Sequence, residues 1–334
     1  MTVTGLETLG HGAADEAPVV DGKRIHGRSP MRIVFDRLRS DKVAVVAAAA
    51  VFVLVVLALL APVITSLWNL CPDETCTDTA ALIELGYPAV GPPYYPFTWA
   101  HPLGLEPSTG YDNTARLLYG LRTSLGVATA AAVLSTVIGV VVGLIAGFAR
   151  GWLDKVISFI IDTFLSFPFI LGALSLSPII VSRFATNADA LKYASVLSLI
   201  AILVIFGWMA LARLIRGEVL SLREREFVQS AQVIGVPTRR ILFKELLPNL
   251  VAPIVVAFSL SLPAYVAAEA GLSFLGIGIT GIPSLGQTIN VAYPFYSNYP
   301  LYLWAPVVTI MVLVVALNLL GDSVRDAFDP KTRR

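Results

Sequence analysis

Apolar residues are grouped along this chain into long blocks that are separated by shorter polar segments. Six of these blocks are long enough to cross a hydrocarbon core of about 30 Å as a helix that rises 1.5 Å per residue. They cover residues 43–67, 124–148, 156–182, 195–214, 250–270 and 303–320. The pattern predicts six transmembrane helices and an all-α membrane protein.

The composition narrows the class of protein further. Hydrophobic residues make up 56% of the 334 residues, charged residues only 14%, and the mean hydropathy is +0.76. A soluble domain with so few charges could not cover its surface, so the composition excludes a soluble enzyme. Because the basic residues lie mainly at the ends of the apolar blocks, we expect no nucleic-acid partner.

Lysine and arginine fall mainly on one side of the predicted membrane. About 20 of the 24 basic residues lie in segments 1–42, 149–155, 215–249 and 321–334 or at the adjoining helix ends. The other side holds only Arg116, Arg122, Arg183 and Lys192. Since cytoplasmic flanks of membrane helices retain positive charge, we expect both termini and the loop 215–249 in the cytoplasm.

The N-terminal region contains two different segments. Residues 1–30 are rich in Gly, Asp and Ala without apolar periodicity, which predicts a disordered cytoplasmic tail. Residues 31–42 mix apolar residues with Arg32, Arg37 and Arg39, which predicts an interfacial helix at the headgroups. A charged flank of the first span, 43–67, is the alternative. Residues 68–123 then form an external loop, and 124–334 form the core with five further spans and a cytoplasmic C-terminal tail.

The cytoplasmic loop 215–249 is too long and too patterned for a simple connector. Phe227, Ala231 and Ile234 follow helical spacing, and Gly235 and Pro237 stop the helix. The pattern predicts a short amphipathic helix over residues 224–234 whose apolar face docks in the groove of a soluble partner. A helix that packs only on its own membrane domain is the alternative.

The same loop resembles the coupling signature of ATP-binding-cassette (ABC) importer permeases, Glu-Ala-Ala, three residues, Gly, nine residues and Ile-x-Leu-Pro. Gln229 and Glu245 depart from that pattern, but ARLIRGEVLSLREREFVQSA at 212–231 closely resembles the dipeptide, oligopeptide and nickel permeases. The resemblance assigns ATPase coupling to Arg225, Glu226, Phe227, Gln229, Ser230, Ala231, Gly235, Leu247 and Pro248.

Further stretches resemble that family in the same order along the chain. They are HPLG at 101–104, RLLYGLRTSLGVA at 116–128, DTFLSFPFILGAL at 162–174, EAGLSFLGIGI at 269–279 and NLLGDSVRDAFDPKTRR at 318–334. The segment GLEPSTGYD at 104–112 departs from it at Leu105, Glu106 and Tyr111 and carries one extra residue. The segment 68–100 is longer than usual in the family, and contact with the external binding protein is the one function we consider for it.

The resemblance implies a type I ABC importer permease fold and a multi-pass location in a bacterial plasma membrane. It also implies four kinds of partner besides lipid: a second homologous permease, two ATPases that use ATP and Mg, an external binding protein, and a di- or oligopeptide cargo. A nickel chelate or another small solute is the alternative cargo. A secondary transporter is a further alternative, although we find no inverted repeat in the sequence.

The sequence predicts no catalytic chemistry of its own. It lacks the phosphate-binding loop Gly-x4-Gly-Lys-Ser/Thr, so we expect no nucleotide or other cofactor bound by this chain. His11, His26 and His101 are too scattered to predict a metal site. We therefore expect a transport subunit rather than an enzyme.

Four further residues are candidates for structural or functional roles. Asp162 lies near the inner end of the third span and Glu269 near the outer end of the fifth. Asp162 is expected to bond a neighbouring helix or to reach the headgroups, and Glu269 either makes a structural bond or takes part in gating. Cys71 and Cys76 are predicted to form a disulfide in the external loop, against free thiols or a bond to another chain.

Overall fold

The computed structural model describes residues 30–71, 83–84, 87–88, 91, 98–107 and 109–329. The predicted tail 1–30 therefore lies outside the described residues except for Pro30. The helices are α1 (Pro30–Ser40), α2 (Lys42–Leu67), α3 (Asn113–Phe148), α4 (Trp152–Ser166), α5 (Phe169–Ser182), α6 (Ala188–Arg223), α7 (Glu226–Val233), α8 (Thr238–Arg240), α9 (Leu247–Asn249), α10 (Val251–Leu272), α11 (Leu285–Ala292) and α12 (Pro300–Phe328).

Short irregular elements complete this order. Strands β1 (Ile83–Glu84) and β2 (Tyr87–Pro88) pair in antiparallel register. The segments Ile241–Leu246 and Ser273–Ile277 are π-helical turns, and Tyr293–Phe295 is a 3-10 turn.

Among the described residues, five helical segments are each long and apolar enough to cross a membrane. They are α2, α3, α6, α12 and the segment Val251–Ile277, which begins with α10. A sixth span is bent: α4 and α5 meet at 90°. The prediction of six spans is confirmed when this bent pair counts as one, and the span predicted over 156–182 is broken rather than continuous. Pro168 has no N–H to donate, and Phe167 before it is extended, with φ −83° and ψ 130°.

Two helices extend well beyond the apolar blocks that predicted them. α3 begins at Asn113, so residues 113–123 are helical rather than loop as predicted. The Asp112 carboxylate accepts from the N–H groups of Thr114 and Ala115 at 2.7 and 3.1 Å and so caps this end. α6 likewise runs to Arg223 into the predicted loop 215–249. Helix ends outside the hydrocarbon core can carry polar residues, which hydropathy alone does not detect.

α3 and α6 pack closely against each other. An added Cβ on Gly139, Gly143 or Gly147 would lie only 2.7 to 2.9 Å from backbone carbonyl oxygens of α6. These glycines therefore let the two backbones approach closely, as small residues do in membrane helices. α10 and α12 pack around this pair, with Leu199 and Val266 in the common core.

The chain reverses direction with each span, so the helix ends fall into two groups. We call the end at which α3 and α6 finish and α10 begins the α7 end, because Leu144, Val219, Val228 and Leu250 pack together there. The end at which α3 begins is called the opposite end. α1 lies with the last turn of α12 at the α7 end.

Two contacts hold the N-terminal helix against α12. The Arg37 guanidinium donates to the carbonyls of Ala327 and Asp329, both at 3.2 Å, and so satisfies the free carbonyls that end α12. The Ser323 hydroxyl donates to Asp41 at 2.9 Å. This bond, with the Val43 N–H, lowers the pKa of Asp41 from its usual value. The predicted helix over 31–42 is present as α1, and its position at a membrane surface stays a prediction.

Candidate functional site

The segment between α6 and α10 is the candidate functional site, and backbone geometry defines both ends of its helix. α7 starts just after α6 ends, with Arg225 extended at the N-terminal cap. Gly235 has φ +81°, and the Val236 N–H donates to the Ala231 carbonyl at 3.0 Å. A residue in the left-handed region at this place ends a helix, and glycine adopts it at no steric cost. The predicted short helix is therefore present.

α7 has an inner and an outer face. Val228 is fully buried against Ile241, Val219 and their neighbours, and Ala231 packs against the same cluster. On the outer face Val233 is 88% exposed and Ile234 is 79% exposed, and Phe227 is exposed too. The sequence predicted Ala231 on the exposed apolar face. In the structure Ala231 packs against the inner cluster, and Val233 is exposed instead.

The polar residues assigned to coupling lie together along α7. Arg225, Glu226, Gln229 and Ser230 are all exposed, and the Gln229 amide donates to the Glu224 carbonyl at 3.3 Å. On the same segment the apolar side chains of Phe227, Val233 and Ile234 are also exposed, and we call these three residues the α7 patch.

The chain after α7 returns to the bundle and anchors the segment. Ile241, Leu246 and Leu250 are buried in the same cluster as Val228. Leu247 packs against that cluster, and Pro248 is exposed in α9. The structure thus places Leu247 and Pro248 beside the anchor rather than on the α7 patch.

Ion pairs join α4 to α6 near this site. The Arg216 guanidinium donates two bonds to Asp154, at 2.7 and 3.1 Å, and Arg213 bonds Asp162. The Arg223 guanidinium donates to the Gly147 and Ala149 carbonyls at the end of α3. Asp162 therefore bonds a neighbouring helix. The sequence analysis missed Arg213 and Arg216, although a basic residue beside an apolar span signals a partner.

At the opposite end Glu269 is fully buried among small hydroxyl residues. The Ser273 hydroxyl donates to Glu269 at 2.8 Å, and Ser124 accepts from the Leu285 N–H at 3.1 Å nearby. α11 approaches α10 so closely that an added Cβ on Gly286 would lie 2.4 Å from the Ala270 carbonyl. The structural bond is therefore present, and a part of Glu269 in gating stays a prediction.

A second buried group at the opposite end was not predicted. Arg116 Nε lies 3.2 Å from the Glu106 carboxylate, with side chains 10% and 3% exposed, and the Arg116 guanidinium stacks over the Tyr111 ring at 5.3 Å. The buried Tyr302 lies beside this pair. Two of the three departures from the family motif, Glu106 and Tyr111, therefore contact the same arginine.

The structure describes only one of the two cysteines predicted to form a disulfide. Cys71 is buried and disulfide-bonded. The sequence has one other cysteine, Cys76, which lies outside the described residues, so the pairing itself stays a prediction. Within the described ranges, no group of three or more His, Cys, Asp or Glu side chains could hold a metal ion.

Long apolar helices, one bent span and a short helix between two spans define a multi-pass, predominantly helical membrane protein. Residues 139–334 match the model of the binding-protein-dependent transport system inner membrane component. Residues 29–71 match the N-terminal transmembrane domain of oligopeptide transport permease C. The chain therefore belongs to the family of inner-membrane components of binding-protein-dependent transport systems.

Relatives of named function cover most of the chain. A dipeptide transport system permease of Alkalihalophilus pseudofirmus is 32% identical over 306 residues, 91% of each chain. A glutathione transport system permease of Salmonella paratyphi A is 35% identical over 317 residues, 95% of each chain. An oligopeptide permease of Mycobacterium bovis is 33% identical over 70% of this chain and 77% of its own.

The fold is also found in a solved transporter. A chain from the inward-facing MetNI methionine ABC transporter superposes with a TM-score of 0.51 at 22% identity, covering 64% of this chain and 96% of that one. The predicted family and the type I ABC importer permease fold are thus confirmed.

Proposed function

We propose that this chain is the permease subunit of an ATP-driven, binding-protein-dependent importer for di- or oligopeptides. The names of the dipeptide, oligopeptide and glutathione relatives, at 32 to 35% identity, support a peptide cargo. A second homologous permease completes the translocation path, and an external binding protein delivers the peptide. Two ATPase subunits supply the free energy.

The α7 patch is the observation that carries this proposal. Phe227, Val233 and Ile234 are exposed on a short helix whose other face is held by the buried Val228. An apolar patch on a rigid helix outside the spans fits a hydrophobic groove on a soluble protein. We infer that this protein is the ATPase, and that ATP and Mg bind there rather than to this chain.

The distribution of basic residues supports the orientation of the subunit. Arg37, Arg223 and Arg325 lie at the α7 end, which accordingly faces the bacterial cytoplasm together with both termini. The opposite end then faces the binding protein. Such an orientation places the α7 patch where an ATPase can reach it.

Uptake by the assembled transporter in liposomes tests the proposal. We expect ATP-driven uptake of labelled alanyl-phenylalanine in the presence of the binding protein. Val233→Asp with Ile234→Asp is expected to abolish uptake and stimulated ATP hydrolysis, because charges cannot enter an apolar groove. The matched variant Val233→Leu with Ile234→Leu keeps the patch apolar and should retain both.

The other outcomes of this experiment distinguish the alternatives. Normal transport by the aspartate variant would show that the α7 patch is not the docking surface. Uptake without ATP would point to a secondary transporter. ATP-driven uptake of a nickel chelate but of no peptide would assign the subunit to another solute.

A further inference from the structure

The break between α4 and α5 lies in an exposed part of the bent span. Ser166, Phe167 and Pro168 are all exposed on the surface of this chain. α4 ends at Ser166 and α5 begins at Phe169. The Phe167 N–H donates to the Phe164 carbonyl at 3.1 Å, and the Pro168 carbonyl accepts from the Gly172 N–H at 3.2 Å. Other carbonyls that end α4 and N–H groups that begin α5 lack α-helical partners, and the hydrocarbon core contains no water to satisfy them. Non-helical backbone at membrane depth is tolerated only where protein covers it or where it lines a water-filled cavity.

A half-exposed ion pair lies on the same side of the bent span. The Asp162 and Arg213 side chains are 56% and 60% exposed. Asp162 and Ser166 are one helical turn apart on α4, so they share a face. Charged side chains in membrane helices face the bundle interior or water rather than lipid. The ion pair and the break therefore mark one non-lipid surface.

An apolar pocket opens beside the break. It has a volume of about 330 Å³ and is lined by Thr163, Phe164, Phe167, Gly172, Ser175, Leu176 and Phe206. The Phe206 ring stacks on Phe167 at 5.9 Å between centroids. Gly172 leaves room for the Phe206 ring, because an added Cβ there would meet the far edge of that ring.

The pocket and the ion pair are close enough to be occupied by one small peptide. Phe206 and Arg213 are seven residues apart on α6, which places them on one face about 10 Å apart along the axis. A dipeptide carries an ammonium group, a carboxylate and side chains over a comparable length. The aromatic walls suit an apolar side chain, and Asp162 with Arg213 suits the two charged groups.

We propose that this surface is part of the wall of the transport path, and that its pocket receives an apolar side chain of the peptide cargo. The inference rests on the proposed peptide import. Coverage by the second permease is the competing explanation for the break. It would bury Asp162 and Arg213 away from water, and burying an ion pair costs several kcal/mol per ion unless new hydrogen bonds form. A path filled with water and zwitterionic cargo carries no such cost.

Thiol accessibility in the assembled transporter tests whether this surface meets water. In a Cys71→Ser, Cys76→Ser background, Ser166→Cys is treated with trimethylammonioethyl methanethiosulfonate, which is a water-soluble cation. Val46→Cys, on an exposed apolar face of α2, is the control. We expect Ser166→Cys to react at least about tenfold faster than the control, because the cation is excluded from hydrocarbon. Equal or slower reaction would show that protein or lipid covers the break.

Selective uptake tests the pocket. Ser175→Phe fills it, and Leu176→Ala enlarges it; Ser182→Phe near the end of α5 is the control for added bulk. We expect Ser175→Phe to lower uptake of alanyl-phenylalanine about tenfold more than uptake of glycyl-glycine. Leu176→Ala should shift the ratio of the two rates away from the parent value, and Ser182→Phe should not shift it.

An unchanged ratio in both pocket variants would overturn the assignment. Because the two peptides are compared within each variant, a difference in the amount of assembled transporter cancels. Uptake of either peptide by the parent chain tests the proposed function separately, so the subsite can fail while peptide import stands.

Discussion

The two ends of the helical bundle differ in which side chains they bury and which they expose. At the opposite end, charged side chains are buried within the chain: Glu106 pairs with Arg116, and Glu269 accepts a hydrogen bond from Ser273. At the α7 end, the apolar side chains Val233 and Ile234 are exposed where no lipid is expected. One end buries charged side chains within the chain, whereas the other leaves apolar side chains uncovered, and the proposed docking of a second protein rests on that exposure.

This difference bears on the proposed coupling through α7. Val228 and Ala231 pack α7 against the cluster that includes α3 and α6, so a displacement of α7 is expected to displace those spans. The α7 patch leaves the other face of the same helix free for a partner. A partner that binds the patch differently in two states would shift the spans between two conformations.

The largest expected effect comes from a substitution in the buried ion pair at the opposite end. Glu106→Gln leaves the Arg116 guanidinium buried without its counter-charge, which should lower the free energy of unfolding by about 3 to 5 kcal/mol. Glu224→Gln at the α7 end removes a pair with Arg223 whose glutamate is exposed, and should cost less than about 1 kcal/mol. Denaturant unfolding in detergent measures both. Equal losses would show that the two ends are not different.

The next prediction compares substitutions on the buried and exposed faces of α7. Val228→Ala removes two buried methyl groups and should lower the local stability of α7 by about 2 kcal/mol. Val233→Ala removes exposed methyl groups and should leave that stability unchanged. Amide hydrogen exchange across α7 in the isolated chain reports the difference. Faster exchange in Val233→Ala than in Val228→Ala would reverse the assigned faces.

Gly235 tests how the helix end positions the α7 patch. Its φ of +81° lies in the left-handed region, and an added Cβ would meet nothing within 4 Å. The cost of Gly235→Ala is therefore conformational only, about 1 to 2 kcal/mol. Gly235→Asn should cost less, because asparagine adopts this region more readily. If alanine and asparagine destabilise α7 equally in hydrogen exchange, strain at this residue is not the cause.

The smallest effect concerns the contact between α1 and α12. The Ser323 hydroxyl and the Val43 N–H lower the pKa of Asp41 below its ordinary 3.8. A lowered folded-state pKa means that the carboxylate stabilises the fold above pH 3.8 and loses this contribution as the pH falls through the folded-state value. Asp41→Asn should therefore lower the thermal midpoint slightly at pH 7, and the difference should vanish in acid. A constant difference across the pH range would contradict this account.

The spans were predictable because bilayer-length apolar runs are a strong signal, but the break in the third span was not. Pro62, Pro178, Pro263 and Pro306 stay within helices, so proline alone does not decide where a helix ends. At Pro168 the rings packed around Phe206 accompany the break. Those contacts join α5 to α6. Because they depend on tertiary structure, the hydropathy pattern did not reveal the break.

The candidate site was predictable in its helix but not in all of its contacts. Helical spacing and Gly235 identified α7, whereas the inward turn of Ala231 depends on the cluster that includes Leu144. Glu106 and Arg116 are ten residues apart, and the bridge between Leu105 and Asp112 accompanies their approach. The sequence alone did not reveal this ion pair, because the path of the backbone between the two residues brings their charges together.

Protection of the α7 patch measures the central claim most directly. In a Cys71→Ser, Cys76→Ser background, the rate at which a maleimide modifies Ile234→Cys is compared with and without the ATPase subunits. Tyr296→Cys, exposed at the opposite end, is the control. We expect ATPase binding to slow modification at residue 234 by about tenfold or more, as burial in an interface core requires, and to leave residue 296 unchanged. An unchanged rate at residue 234 in a complex that retains its ATPases would contradict the account.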